Sequence, residues 1–393
     1  MTLRLNHLTI KGLAILLIVY SNICFYKLDT QAVFLILNVI AGVITVASHS
    51  LRKVKLTIPV AWLTCIFLMF IISGTFRLQA GTFNWDRYVI SYFQCILFYI
   101  LIKDIVADLE YEKVLAYTFG LAAILCILTM YIQEGGFFGR ELRSVGSTLS
   151  GNVNTVGMSF GILSLFMVYY YGKSRKILVF LVSIAVMAIM MLTGSKKTIV
   201  YIIANVFILY SFSKNKTKGK IVLISLFSVV AYLVFGVDYY YELLGSRIID
   251  MLGQLGFPMN NAHYSYSTEI RIYMIGEAFQ MWLQHPLFGG GTNYFQAQTA
   301  TRYEYSHCNV TELLCSLGII GCALYYLPHI TFIKRLKKIV KEEPEAAHFS
   351  IILIVVTLAI DWMAVTYSSF STMYIPIIFV LIMMEKHYRM GFY

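Results

Sequence analysis

Charge is what this chain has least of. Charged residues make up 13% of the 393, where a soluble domain has about a quarter. Hydrophobic residues make up 59% and the mean hydropathy is +0.73, which excludes an ordinary soluble enzyme and leaves a polytopic membrane protein. Cysteine is sparse as well, seven in all. Cys24, Cys65, Cys95 and Cys126 sit in apolar runs and read as small packing residues. Cys308, Cys315 and Cys322 recur every seven residues, which on a continuous helix puts them on one face, neighbours about 10 Å apart, too far for a disulfide or a shared metal. There is no glycine loop for nucleotide phosphates, no zinc motif and no acidic pair that reads as a metal site, so neither cofactor nor metal is expected. The net charge of +11 does not point to nucleic acid, because most basic residues lie in short loops between apolar runs, as the positive-inside rule requires. No cleavable signal peptide is evident; Met1–Lys11 and the apolar run after it read as a first spanning helix.

What the chain has is apolar runs. They number about twelve, each about 17–25 residues, the length a bilayer demands. They are continuously apolar, which selects helices over a barrel. The expected fold is therefore an all-α integral membrane protein of about twelve transmembrane helices, with a large, partly helical extracytoplasmic loop before the tenth. The expected division is residues 1–236 for the first nine helices, 237–308 for the loop and 309–393 for the last three. One set of loops holds Lys53, Lys103, Lys113, Lys173, Arg175, Lys214–Lys220 and Lys334–Lys341, and is assigned to the cytoplasm with both termini. That orientation puts the large loop on the outer side of a cytoplasmic membrane.

That loop is the longest polar interruption, yet it is rich in Tyr, Trp and Phe, and disordered segments are poor in aromatics. The spacing predicts a helix over Thr268–Gln284, ended by Pro286, which cannot continue it. Thr268 is its expected cap and Glu269 its first turn. Met274, Ile275, Ala278, Phe279 and Trp282 form its apolar stripe.

Basic residues on the outer side break the charge rule. Arg140 and Arg143 lie in GGFFGRELRSVG, Lys196 and Lys197 in LTGSKKTIV, and Arg247 and Arg271 flank the centre of the loop. Together they read as a basic cup for a phosphate or diphosphate, which arginine holds in a bidentate fork; each alone could instead snorkel to lipid headgroups or pair with Glu141, Glu242 or Glu269. His307 stands where loop meets membrane, with Asn309 and Glu312 within one turn, placed to act as a general base or to hydrogen-bond a phosphate. Glu312 is an ionisable group at the start of a span, where such groups are functional or paired. Asn152 and Asn154 open a spanning helix as caps, and Asp361, inside an apolar run, should face the bundle.

Two linked patterns carry a resemblance. R-x13-H-P-L-F-G-x-G, from Arg271 to Gly291, is followed by H-x4-E-L-x4-G-I-I-G, from His307 to Gly321. This pair resembles the O-antigen ligase and polymerase superfamily of bacterial surface-polysaccharide enzymes. GSTLSGNVNTVG is similar to the family's glycine/asparagine segment and places Asn154 at its asparagine. LTGSKKTIV is similar to its serine–arginine segment, with Lys196 where arginine is usual, and Cys308 stands where asparagine commonly follows the histidine.

The resemblance implies a metal-independent, inverting membrane glycosyltransferase acting on a polyisoprenyl (undecaprenyl) diphosphate-linked glycan at the outer leaflet. Arg271, His307 and Glu312 would be its catalytic residues, and Arg140, Arg143, Asn154, Lys196, Lys197 and Arg247 would bind substrate. Its partners would be the bilayer, the lipid-linked glycan, and the flippase and chain-length regulator of the same pathway. A lean chain without an added outer domain favours a polymerase of capsular, exopolysaccharide or O-antigen repeat units. The alternatives are a ligase, which transfers glycan to a lipid A core, and a flippase or exporter, which would carry charge along the depth of the bundle.

Overall fold

The computed structural model describes residues 2–25, 30–48, 57–77, 85–107, 110–137, 145–150, 152–213, 216–246, 248–249, 266–299 and 303–390. Among these there is no strand. The helices in chain order are α1 (Thr2–Cys24), α2 (Gln31–Ala47), α3 (Ile58–Arg77), α4 (Trp85–Val106), α5 (Tyr111–Glu134), α6 (Ser147–Ser150), α7 (Val153–Ser174), α8 (Ile177–Leu192), α9 (Thr198–Ser211), α10 (Lys216–Gly236), α11 (Tyr266–Gln284), α12 (Tyr294–Gln298), α13 (Asn309–Glu342), α14 (Pro344–Met363) and α15 (Ile375–Met390). Among the described residues, eight helices are long and apolar enough to cross a membrane, and Thr9–Cys24, Gln31–Ala47, Ile177–Leu192 and Thr198–Ser211 are shorter apolar helices.

Two spans are the most buried: 83% of the apolar stretch of α7 and 89% of Phe370–His387, which runs into α15, against 12% for α10 at the periphery. Helices in lipid gain nothing from hiding apolar surface, so close packing of small residues must hold them together. Gly161 and Gly172 do this on α7: a Cβ there would fall 2.3 Å from the rings of Tyr201 and Phe212. On another side Tyr169 stacks on Phe349 of α14, centroids 4.2 Å apart.

One end of the bundle gathers the ends of α5, α8 and α14 with the starts of α7, α9 and α13. The other end is lysine-rich and tied by ion pairs between helices: Lys11–Asp104 at 3.0 Å, Lys103–Glu385 at 2.9 Å and Lys173–Glu112 at 2.6 Å.

Three local expectations change. The loop helix α11 begins at Tyr266, so Thr268 lies inside it and is no cap. Its buried face is Met274 and Ala278, packed with Tyr294, Phe295 and Cys315, while Phe279 is 42% exposed. The seven-residue run of cysteines does not share a face, because α13 is broken at Gly318, between Cys315 and Cys322.

Candidate active site at the broken helix

Gly318 has φ 66° and ψ −170° in the middle of α13, a conformation confined essentially to glycine. A break of this kind strands carbonyls before it and amides after it. The HPLFGGG turn satisfies both sets. Gly290 N–H donates to Cys315 O and Gly291 N–H to Ser316 O, each at 2.8 Å; Ile319 N–H donates to Pro286 O at 2.9 Å and Ile320 N–H to Leu287 O at 3.3 Å. The two backbones approach so closely that a Cβ on Gly289 would lie 2.4 Å from the Ser316 carbonyl carbon, and one on Gly318 2.3 Å from Leu287 O. The two sequence patterns, HPLFGGG and GIIG, are thus halves of one backbone lock. Thr292 anchors the turn to α3, donating to Phe70 O at 2.8 Å.

Past the break the first piece of α13 folds back. Asn309 Nδ2 donates to the Tyr326 hydroxyl at 3.2 Å, although a straight helix would separate residues so spaced by about 25 Å. Asn309 Oδ1 accepts from the Thr366 and Tyr367 amides at 2.9 and 2.8 Å. The Tyr326 hydroxyl donates to Asp361 Oδ2 at 2.8 Å, and the Thr366 hydroxyl donates to Asp361 Oδ1. Asp361 is 1% exposed and faces the bundle, as its place in an apolar run required. Asn309 is spent on this clamp, so it does not stand in for the asparagine that Cys308 replaces.

His307 precedes this clamp. Glu312, buried, accepts the Ser306 amide at 2.8 Å, and Ser306 Oγ donates to Cys308 O at 3.1 Å. These contacts hold the loop while His307 takes a left-handed backbone, φ 64°, which costs a non-glycine residue on the order of 1–3 kcal/mol. Glu312 thus braces the loop backbone beside His307. The His307 ring is half-buried and meets Tyr305 edge-on, centroids 4.6 Å apart.

Two cations reach the same place from other elements. Lys197 closes the α8–α9 turn and is 9% exposed; the turn packs on α7 where Gly157 leaves room, since a Cβ there would be 2.9 Å from Thr193 Oγ1. Arg271, half-buried, comes from α11. Burial, then the charge of Arg271, pushes the Lys197 ammonium down to about 7. Burial, then Arg271 and Lys197, pushes the His307 imidazole down to about 4. Burial raises the Tyr305 phenol, Glu304 adding to the rise, while Arg271 and the nearby Asn152 side chain oppose it. Among the described residues, the ion pairs engage Lys11, Lys103, Lys113, Lys173, Lys338 and His387. No carboxylate pairs with Lys197 or Arg271 there, and no group of three or more His, Cys, Asp or Glu could hold a metal.

The structure thus brings Arg271, His307 and Lys197 together from the expected set. Asn152 caps α7, and both the amide and the side chain of Asn154 donate to it, at 2.9 and 3.0 Å, which places Asn154 in the same cap. Lys197 couples electrically to Arg271 and His307. Arg140, Arg143 and Arg247 lie outside the described residues. Tyr305 and Tyr326 escaped sequence reasoning; an aromatic two residues from the histidine was the available signal for the first.

Residues 181–326 match the family model described as O-antigen ligase. No curated protein matches the chain. The matched stretch contains Lys197, Arg271, the backbone lock and His307. This family covers O-antigen ligases and related polymerases, membrane enzymes of glycosyltransferase type. The chain is an all-α, multi-pass membrane protein whose residues 181–326 match the O-antigen ligase family model, which supports the resemblance to the O-antigen ligase and polymerase superfamily.

Proposed function

We propose that the protein polymerises polyisoprenyl-diphosphate-linked oligosaccharide repeat units by inverting, metal-independent glycosyl transfer. The observation that carries this is a half-buried guanidinium and a buried ammonium, from two elements, beside a histidine, with no carboxylate paired to either cation among the described residues. Buried cations without counter-ions are costly, and a site that holds them is complementary to an anion. A diphosphate fits: it is where charge accumulates as the glycosidic C–O bond breaks.

In this reading Arg271 grips the diphosphate through its fork and Lys197 adds a second contact. Burial, aided by the neighbouring cations, keeps His307 neutral, so one ring nitrogen can accept the proton of the acceptor hydroxyl. The hydroxyl oxygen attacks the anomeric carbon opposite the diphosphate, the lipid diphosphate leaves with the bonding pair, and the configuration inverts. The lysine-rich end of the bundle, opposite the site, supports a cytoplasmic location for both termini and an outer-face position for residues 237–308.

The test is His307→Ala, assayed with purified protein and a lipid-linked repeat unit as sole substrate. Wild type is expected to build a ladder of lengths; the variant, at equal membrane level, is expected to lose roughly 100-fold or more in rate. Near-normal ladders from the variant remove His307 from the chemistry. Transfer of single glycans only to an added lipid A core, with no ladder, favours the ligase.

A further inference from the structure

We infer that Tyr305 is a positioning residue for His307: its ring backs the imidazole edge-on and holds it in one orientation beside the cap of α7. The inference rests on reading His307 as the group that takes the acceptor proton.

Three observations converge. The left-handed backbone at His307 turns its side chain toward that of the residue two earlier, and the rings meet at 4.6 Å with an interplanar angle of 72°. Such edge-to-face pairs contribute about 0.5–1.5 kcal/mol beyond buried area and hold a ring in one orientation. The Asn152 side chain lies near the Tyr305 hydroxyl and opposes the rise of its pKa. Asn152 is itself immobilised as the cap of α7, its Oδ1 accepting the Asn154 amide at 2.9 Å. The imidazole thus sits between its own loop and the capped start of α7. The charged and titratable groups around it are Arg271 from α11, Lys197 from the α8–α9 turn, and Tyr305 with the neighbouring Glu304 from its own loop. The ring also shields His307 from water, and burial is the largest cause of its low pKa.

Removing the ring should therefore do two separable things. Tyr305→Ala is expected to lower kcat about 100-fold through misplacement of the base, with KM for the donor changed by less than about twofold, since the cations remain. Tyr305→Phe keeps the ring and loses only the hydroxyl, so its loss should be about tenfold at most. Independently of activity, carbethoxylation of His307, quantified by mass spectrometry, reports the neutral imidazole. The ratio of its rates at about pH 5 and about pH 7.5 cancels accessibility. That ratio should stay near one in wild type and Tyr305→Phe, and fall at least about fivefold in Tyr305→Ala as the imidazole returns toward its ordinary value of about 6.5. An unchanged ratio in Tyr305→Ala, or a loss confined to KM, overturns the positioning role. Full activity of His307→Ala alongside a shifted ratio instead overturns the proposed chemistry and leaves the Tyr305–His307 contact standing.

Discussion

Gly318→Ala is expected to destroy the site. The residue holds φ 66° and ψ −170°, a region that costs an L residue on the order of 1–3 kcal/mol. Its new methyl would also lie 2.3 Å from Leu287 O and 2.5 Å from Phe288 N. Relief requires the HPLFGGG turn to move off α13, which strands the carbonyls of Cys315 and Ser316 and the amides of Ile319 and Ile320, each at about 1–3 kcal/mol if it stays buried. A loss of at least about 3 kcal/mol is expected, read as a lower thermal midpoint in detergent and no detectable transfer. Gly276→Ala is the control. It lies in α11, nothing stands within 4 Å of its new methyl, and alanine in a helix is worth about 0.5–1 kcal/mol over glycine. If the two variants behave alike, the lock does not organise the site.

Removing the cations is the second large effect. Arg271→Ala should cut donor turnover roughly 100- to 1,000-fold, and Arg271→Lys should recover little of it, because an ammonium loses the bidentate fork. Lys197→Met should weaken donor binding by about 2–5 kcal/mol while relieving the burial of a charge, so the protein itself should be no less stable. The sign of the pH dependence follows. Lys197 is held down to about 7 without ligand, and a bound diphosphate must raise it. Donor affinity is therefore greatest below about 7 and declines as pH rises above it, through the range where protonation must be taken from water. Lys197→Met should abolish that slope. Donor binding measured by calorimetry between about pH 6 and 9 checks this; an identical slope in the variant removes Lys197 from the site.

Much of this was legible in the chain, for reasons particular to each element. Continuous apolar runs announced the spanning helices, because lipid offers the backbone no partners. Pro286 announced the end of α11, and Asp361 had to face inward. The start of α11 was missed because Thr268 has a capping side chain, yet the helix begins at Tyr266. The lock was missed because a glycine pattern shows where the backbone can bend but not which backbone it will meet. Lys196 and Lys197 are adjacent and alike, so no local rule could say which the α8–α9 turn buries. Glu312 reads as chemical by its place in a span; only its bond to the Ser306 amide shows that it holds the loop. Nothing in the sequence around Asn309 announces its clamp; only the amides of Thr366 and Tyr367 on its oxygen show it.

The central claim is that fixed side-chain cations, without a metal, neutralise the leaving diphosphate. The most direct measurement is extension of a purified lipid-linked repeat unit in an excess of chelator. The account predicts the same rate and ladder with and without chelator, and their loss in Arg271→Ala under both conditions. A reaction stopped by the chelator and restored by magnesium or manganese would contradict it, and would turn attention to the loop carboxylates Glu269 and Glu304.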